Sequence, residues 1–378
     1  MSAASCIDVN ARLTVDLGAL IGNYRALQAA AAPADVAAVV KADAYGLGAG
    51  PVSRTLYKAG CRHFFTAQFG EALALRPELP ADARFYVLNG LWPGDEALAA
   101  EAGIIPVLNT LEQVAAWRAL AAVRGRLPAV VQVDSGMSRL GLSAHDVSRL
   151  AEDPELLAGL AVHYVMTHMA CADTPDSPWN ATQIATFQAL ASQLPRAPWS
   201  FANSAATLTW PQRKGDLVRA GIGLYGGSPL AEGGNPMRPV VSLSARVLQV
   251  REIPPKAGVG YGMTWVASAP TRIATLAVGY ADGWPRLLSG RGAAFFQGRP
   301  LPIVGRVSMD SMMVDVTALP PSTVAAGDFL ELIGPNQTLE DVAALAGTIS
   351  YEILTGLGGR LVRTYAGADA AAELELCA

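Results

Sequence analysis

Short apolar runs, rich in β-branched and aromatic residues, recur along the first 225 positions. They are "VAAVVK" (36–41), "HFFTA" (63–67), "RFYVLN" (84–89), "IIPVLN" (104–109), "AVVQVD" (129–134), "VHYVMTH" (162–168), "WSFAN" (199–203) and "LVRAGI" (217–222). The segments between most of them, such as "LEQVAAWRALAAV", space their apolar residues as a helix does. Strands that are apolar throughout are buried on both faces, and when they alternate with helices they build a parallel sheet. Eight such units in this length fit a closed (β/α)8 barrel better than an open sheet.

The texture changes at the Gly/Pro-rich "GGSPLAEGGNPMRP" (226–239). From "VVSLSARVLQVREI" onward the runs look like antiparallel strands with tight turns, and one helix is expected near "TLEDVAALAG". The expected organisation is α/β. An N-terminal TIM-type barrel spans 1–239, and a mainly β domain spans 240–378. The first dozen residues of the chain are candidates to pair with the C-terminal domain.

Composition narrows the classes. The 378 residues are 51% hydrophobic, enough for a large core and more than one domain. Net charge is −4 and the basic residues are scattered, so no nucleic-acid or membrane-surface partner is expected. Cys6, Cys61, Cys171 and Cys377 form no CxxC pair, and His63, His145, His163 and His168 form no ligand cluster, so no metal site is expected. The N-terminal residues lack a basic and an apolar region of signal-peptide type. The uncharged stretch 156–172 holds two histidines and reads as a helix end, a turn and a buried strand. A soluble cytoplasmic protein is expected.

In a barrel the chemistry gathers at the C-terminal ends of the strands. Here those ends carry Lys41, Arg139 in "DSGMSRLG", His168, Asn203 with Ser204, and Arg219 leading into "AGIGLYGG". A strand-end lysine is either a snorkelling surface group or an amine made nucleophilic by a crowded rim. "GIGLYG" (221–226) matches GxGxxG, but no helix opens at it and Gly/Pro-rich chain succeeds it, which excludes a dinucleotide fold. The remaining use of such a loop is a phosphate cradle, placed after strands seven and eight, with Ser204 in the same corner. A reactive amine facing a phosphate corner points to pyridoxal phosphate. Arg219, either an ion-pair partner within the barrel or the neighbour of the pyridine nitrogen, is too weak an acid to protonate that nitrogen. That suits removing and returning a proton better than decarboxylation. His168 stacks on a ring, hydrogen-bonds a neighbour or simply packs.

Together these motifs resemble the alanine racemase family over nearly the whole chain. "VVKADAYGLGA" is similar to the family's cofactor-lysine segment. The resemblance implies that Lys41 carries the cofactor as a Schiff base and Tyr45 contacts the phosphate. "DSGMSRLG" implies Arg139 at the substrate carboxylate. "ANSA" and "VRAGIGLYG" imply Asn203, Ser204, Gly221 and Ile222 around the phosphate, Arg219 at the ring nitrogen, and His168 beside it. In the second domain "GVGYGMTW" implies Tyr261 as second base. "VGYADGWPR", "GRVSMD" and "SYEILTGLG" imply Tyr280 at the entrance, Met309 at the substrate through its backbone, and Tyr351 at the phosphate. The implied activity is a two-base racemisation of alanine with substrate amino acid and cofactor as ligands. The implied assembly is a homodimer whose sites take Tyr261 from the partner, and the implied role is D-alanine supply for peptidoglycan.

Three positions depart from the family pattern. Gln132 stands where many members have a lysine that orients the carboxylate-binding arginine, and its amide oxygen is expected to hold Arg139 instead. Ser200 replaces a common histidine, removing a partner of the Arg219 network. Leu47 replaces another. Two alternatives stay open: a racemase for serine or a broader set of amino acids, and a non-catalytic pyridoxal-phosphate carrier. A second base in the second domain is superfluous for a carrier.

Overall fold

The structure is a computed structural model that describes residues 9–210 and 214–367. They fall into two compact units. One comprises Ile21–Leu224 with Ser228–Met237, and the other takes the remaining described residues up to Leu20, Tyr225–Gly227 and onward from Arg238.

The second unit holds the first of the described strands, β1 (Ala11–Asp16). In the first unit there are eight short strands: β2 (Asp35–Val39), β3 (His63–Thr66), β4 (Arg84–Val87), β5 (Ile104–Leu108), β6 (Leu127–Gln132), β7 (Leu160–Met166), β8 (Trp199–Ser200) and β9 (Leu217–Ala220). Their order is β8-β7-β6-β5-β4-β3-β2-β9, and every pairing is parallel. A parallel bridge between Asn203 and Arg219, with Arg219 N–H donating to Ala202 O at 2.9 Å, nearly closes the ring. The expected runs are all present; each strand stops short of its run's C-terminal end, and β2, β6 and β7 begin one or two residues earlier.

The barrel is filled rather than hollow. Tyr86 on β4 stacks on Phe65 at 4.5 Å and meets Tyr164 of β7 edge-on, across the barrel. His63 on β3 also reaches Tyr164, and its Nδ1 lies 3.0 Å from the Tyr86 hydroxyl. Such aromatic contacts add to plain area burial. Burial pushes His63 down to about 4. Between strands the helices start where the chain supplies caps: Thr110 accepts from Gln113 N–H, and Ser143 with Asp146 forms a capping box. The 156–172 segment is a 3₁₀ turn, Gly159 at φ 77°, and then β7.

In the second unit β1 is joined by β10 (Val241–Ile253), β11 (Gly258–Val259), β12 (Trp265–Val266), β13 (Thr271–Leu276), β14 (Ala293–Phe296), β15 (Arg299–Val304), β16 (Met312–Asp315), β17 (Phe329–Ile333) and β18 (Val362–Ala366). β10 organises them. Its first half buries Val241, Leu243, Ala245 and Val247 at alternate positions and pairs with β1 and β17. A register shift after Val247 turns its second half onto β13, so the strip β13-β16-β15-β14-β17-β10 closes on itself. β1 lies between β10 and β18 and runs parallel to β18. The expected helix is Leu339–Ala346, capped by Thr338 and Asp341. A second helix, Ser350–Gly356, escaped the periodicity reading. Among the described residues no helix is long and apolar enough to cross a membrane.

Candidate active site

β2 ends at Val39, and the chain then turns left-handed. Ala42, Asp43, Ala44 and Tyr45 take φ values of 52°, 53°, 53° and 57°. Non-glycine residues in that region cost about 1–2 kcal/mol each. Hydrogen bonds offset the cost: Ala44 N–H to Val40 O at 2.9 Å, Gly48 N–H to Asp43 O at 3.0 Å, and Ala49 N–H to Asp43 Oδ1 at 2.7 Å. Ala42 N–H, at the start of the turn, goes to Glu71 Oε1 at 2.6 Å. Lys41 stands just before the left-handed run, half-buried. Burial and the Arg139 guanidinium hold its amine below the ordinary lysine range; Glu71 opposes them and Arg219 adds to them.

Arg139 rides on a tight loop after β6. Asp134 Oδ1 accepts three successive N–H groups, from Gly136, Met137 and Ser138, at 2.9 to 3.1 Å. Ser138 takes φ 57°, and Gly141 admits no side chain because a Cβ there would lie 2.7 Å from the backbone of Val133 and Asp134. The loop leaves Arg139 exposed. Gln132 does not hold it. Its amide nitrogen donates to Leu140 O at 3.0 Å, the only role a nitrogen can play against a carbonyl.

Arg219 is buried, and both its terminal nitrogens are engaged. It donates to Ser200 O at 2.9 Å, Ser200 Oγ at 2.7 Å, Thr167 O at 2.7 Å and His168 Nδ1 at 3.1 Å. No carboxylate pairs with it among the described residues. Burial lowers it to about 9, and it stays protonated at neutral pH. Ser200, expected to leave this network short of a partner, is instead one of its members. Its hydroxyl accepts from Arg219 and also donates to Leu217 O at 2.7 Å. His168 lies two residues beyond β7. Burial, then Arg219, Arg139 and Lys41, push it down to about 3.

The corner after β8 and β9 brings Tyr45, Ser204, Gly221 and Ile222 together. Gly221 N–H donates to Ser204 Oγ at 2.9 Å, and a Cβ on Gly221 would sit 2.6 Å from the Tyr45 hydroxyl. Ser204, Tyr45 and Ile222 are all buried. Both ends of the Asn203 amide are committed: Oδ1 caps the helix Ser204–Thr209 through Ala206 N–H, and Nδ2 donates to Met169 O. Asn203 thus orients Ser204.

The other expected residues lie in the second unit. Tyr261 is 73% exposed, between Gly260 at φ 70° and Gly262 at φ 72°, turns that a side-chain-bearing residue resists and that thrust the ring outward. Met309 and Tyr280 are exposed neighbours, Ala281 N–H donating to Met309 O at 3.0 Å. Tyr351 lies in the first turn of the helix Ser350–Gly356.

Lys41, Arg139 and Arg219 set three cationic side chains on one barrel rim, and the carboxylate that acts on Lys41 is that of Glu71. That charge set calls for an anion. A buried arginine with no carboxylate partner, a hydroxyl–glycine corner and an amine of lowered basicity fit the ring, the phosphate and the aldehyde of pyridoxal phosphate respectively. Two contributions were not legible in the sequence alone: that of Ser200, which stands out there as the loss of a partner for Arg219 and not as a partner itself, and that of Glu71, although "QFGE" has the spacing of a capping box.

Comparison with known proteins gives the family. Residues 15–229 match the family model "Alanine racemase, N-terminal domain" and residues 240–365 match "Alanine racemase, C-terminal domain". The chain is 54% identical to a catabolic alanine racemase of Agrobacterium fabrum, covering 93% of this chain and 91% of that one. It is 53% identical to an alanine racemase of Brucella abortus, covering 93% of each. The alanine racemase of Bartonella henselae, whose crystal structure has covalently bound pyridoxal phosphate, superposes with a TM-score of 0.92 at 42% identity, over 95% of this chain and all of that one. The Bacillus anthracis enzyme gives 0.87 at 30% identity, over 96% of each chain. The chain belongs to the alanine racemase family, a family of pyridoxal-phosphate-dependent isomerases.

Proposed function

We propose that this chain interconverts L- and D-alanine with pyridoxal phosphate, using Lys41 and Tyr261 as its two proton-carrying groups. The observation that carries the reading is the convergence of Lys41, Arg139 and Arg219 on one rim. Lys41 would hold the cofactor through Nζ. Ser204, Gly221, Ile222, Tyr45 and, by family resemblance, Tyr351 would hold its phosphate. When bound, pyridoxal phosphate withdraws electrons from the α-carbon of an amino acid and so acidifies its α-hydrogen.

The chain's own groups do the rest. Arg139 offers the two-pronged donor that a carboxylate accepts, and its exposed position keeps that fork free. Burial and Arg139 hold the Lys41 amine below the ordinary lysine range, which favours the neutral form that accepts a proton at Nζ. Arg219 presents N–H donors but no exchangeable acid, which favours returning the proton over other fates of the substrate. Tyr261 supplies a phenol oxygen for the opposite face. Its exposure suits a group delivered to a second chain, so the active form is a homodimer with shared sites.

Incubating the purified protein with pyridoxal phosphate and L-alanine, then with L-serine, and assaying the D-isomers tests the reading. D-alanine is expected as the principal product. D-serine in excess makes it a serine racemase, and no D-isomer from a panel of amino acids makes it a carrier. The cellular role we assign is D-alanine supply for peptidoglycan. A deletion strain should require D-alanine. Loss of nothing but growth on alanine would assign the catabolic direction named for the Agrobacterium relative.

A further inference from the structure

We propose that Glu71 is a positioning residue for Lys41: its carboxylate bridges the left-handed turn to the end of β3 and is the anionic counterweight to the cations around the amine. The proposal rests on the reading of Lys41 as the cofactor-bearing lysine.

Glu71 uses both oxygens. Oε2 accepts from Ala67 N–H at 2.9 Å and Gln68 N–H at 3.0 Å, closing the capping box of its own helix, Phe69–Leu75. A glutamine serves as well at that position of a capping box. Oε1 does something else. It reaches the neighbouring strand end and accepts from Ala42 N–H at 2.6 Å, across 29 residues of sequence. An ionised carboxylate is acceptor-only on both oxygens, whereas an amide has one acceptor and one donor group. The double bridge therefore selects glutamate over glutamine at position 71. It also fastens the residue after Lys41, where the chain enters its left-handed run and stores backbone strain.

Charge gives the second half of the argument. Arg139 faces Lys41 from the loop after β6, Arg219 from β9, and His168, neutral, from beyond β7. Glu71 faces it from the helix after β3 and favours the protonated amine. Without Glu71 the amine loses both a tether and its counter-charge.

Glu71→Gln and Glu71→Asp in the full chain separate these roles. Lys41 is titrated in cofactor-free protein by competitive acylation, read on the Lys41 peptide by mass spectrometry, and Ala42 is followed by amide hydrogen exchange. In Glu71→Gln the Lys41 titration should move to lower pH, giving about threefold to tenfold more reactive amine at neutral pH. Ala42 exchange should quicken about tenfold or more, as expected for a lost hydrogen bond to a charged group. Glu71→Asp keeps the charge but is too short for both bridges, so Lys41 should titrate near its parent value while Ala42 exchanges faster. A Lys41 titration unmoved in Glu71→Gln overturns the proposal. If that variant does not fold, unchanged Ala42 exchange in Glu71→Asp overturns it. Borohydride fixation of the cofactor to a different lysine would instead overturn the reading of Lys41, and the titration of Lys41 would still report on Glu71.

Discussion

Arg219 donates to Nδ1 of His168 at 3.1 Å, and an arginine has no acceptor to offer in return. Nδ1 must therefore carry the lone pair, and the single proton of the neutral ring sits on Nε2. The pairing fixes a tautomer as well as an orientation. Nitrogen NMR of labelled protein should show His168 as the Nε2–H form, unprotonated, at pH 6. A cationic signal at that pH would mean that the contact is not made in solution.

His168 and His63 also set the acid stability. Both are held low, to about 3 and about 4, against an ordinary 6.5. Between those values and 6.5 the unfolded chain binds protons that the folded chain refuses, so stability is full above pH 6.5 and falls as pH drops through that window. Each pH unit well inside it costs roughly 1.4 kcal/mol per histidine. Denaturant midpoints at pH 7, 6 and 5 should fall in step. His63→Gln, far from the rim residues, should flatten the slope by about one proton; an unchanged slope would remove His63 from the account.

Arg219 tolerates little. Glutamate at 219 would place a carboxylate against the carbonyl oxygens of Ser200 and Thr167 that now accept from the guanidinium. An unpaired buried charge costs about 3–5 kcal/mol. Arg219→Glu should therefore destabilise the barrel by that order, while Arg219→Lys keeps the fold and alters the visible spectrum of the loaded enzyme. Equal denaturation midpoints for parent and Arg219→Glu would show that residue 219 is not buried as described.

Gly221→Ala tests the phosphate corner. The new methyl would lie 2.6 Å from the Tyr45 hydroxyl, which must swing away. Losing one hydrogen bond to a charged ligand costs about 1.5–3 kcal/mol, so equilibrium titration should show pyridoxal phosphate binding about tenfold to a hundredfold more weakly. Thermal stability without cofactor should change far less. Unaltered affinity would place the phosphate elsewhere.

The proposed homodimer with shared sites is testable by mixing. Lys41→Ala and Tyr261→Ala homodimers each have two damaged sites. Unfolded together and refolded, about half the dimers are mixed, and a two-fold axis puts both lesions in one site and none in the other. Activity should return to roughly a quarter of the parent's. No recovery, with mixed dimers shown to form, would place both residues of a site on one chain.

The strand-end rule located Lys41, Arg139, His168, Ser204 and Arg219 because a barrel's connectivity converts chain order into position around a rim. It does not show what lies beside what within that rim. Glu71 belongs to the cap of another helix, and its reach to Ala42 exists only once β2 and β3 are paired. Ser200 hydrogen-bonds a residue 19 positions away, so neither its partner nor its value can be read from its neighbours. The left-handed turn was hidden for a local reason: "KADAY" contains no glycine, and four such residues in that conformation oppose every propensity. Tyr261 is the converse case. Its flanking glycines advertise a turn but not a chemical role, and the family pattern supplied the rest.

β1 precedes the other described strands along the chain, yet its antiparallel neighbour begins at Val241 and its parallel one at Val362. Until β10 has been made it has no partner on either edge, while the consecutive barrel strands β2 to β8 pair as they emerge. The unit that carries Tyr261 therefore cannot finish its sheet until Val362–Ala366 has been synthesised. The nascent chain, more than the released one, is the form exposed to mispairing.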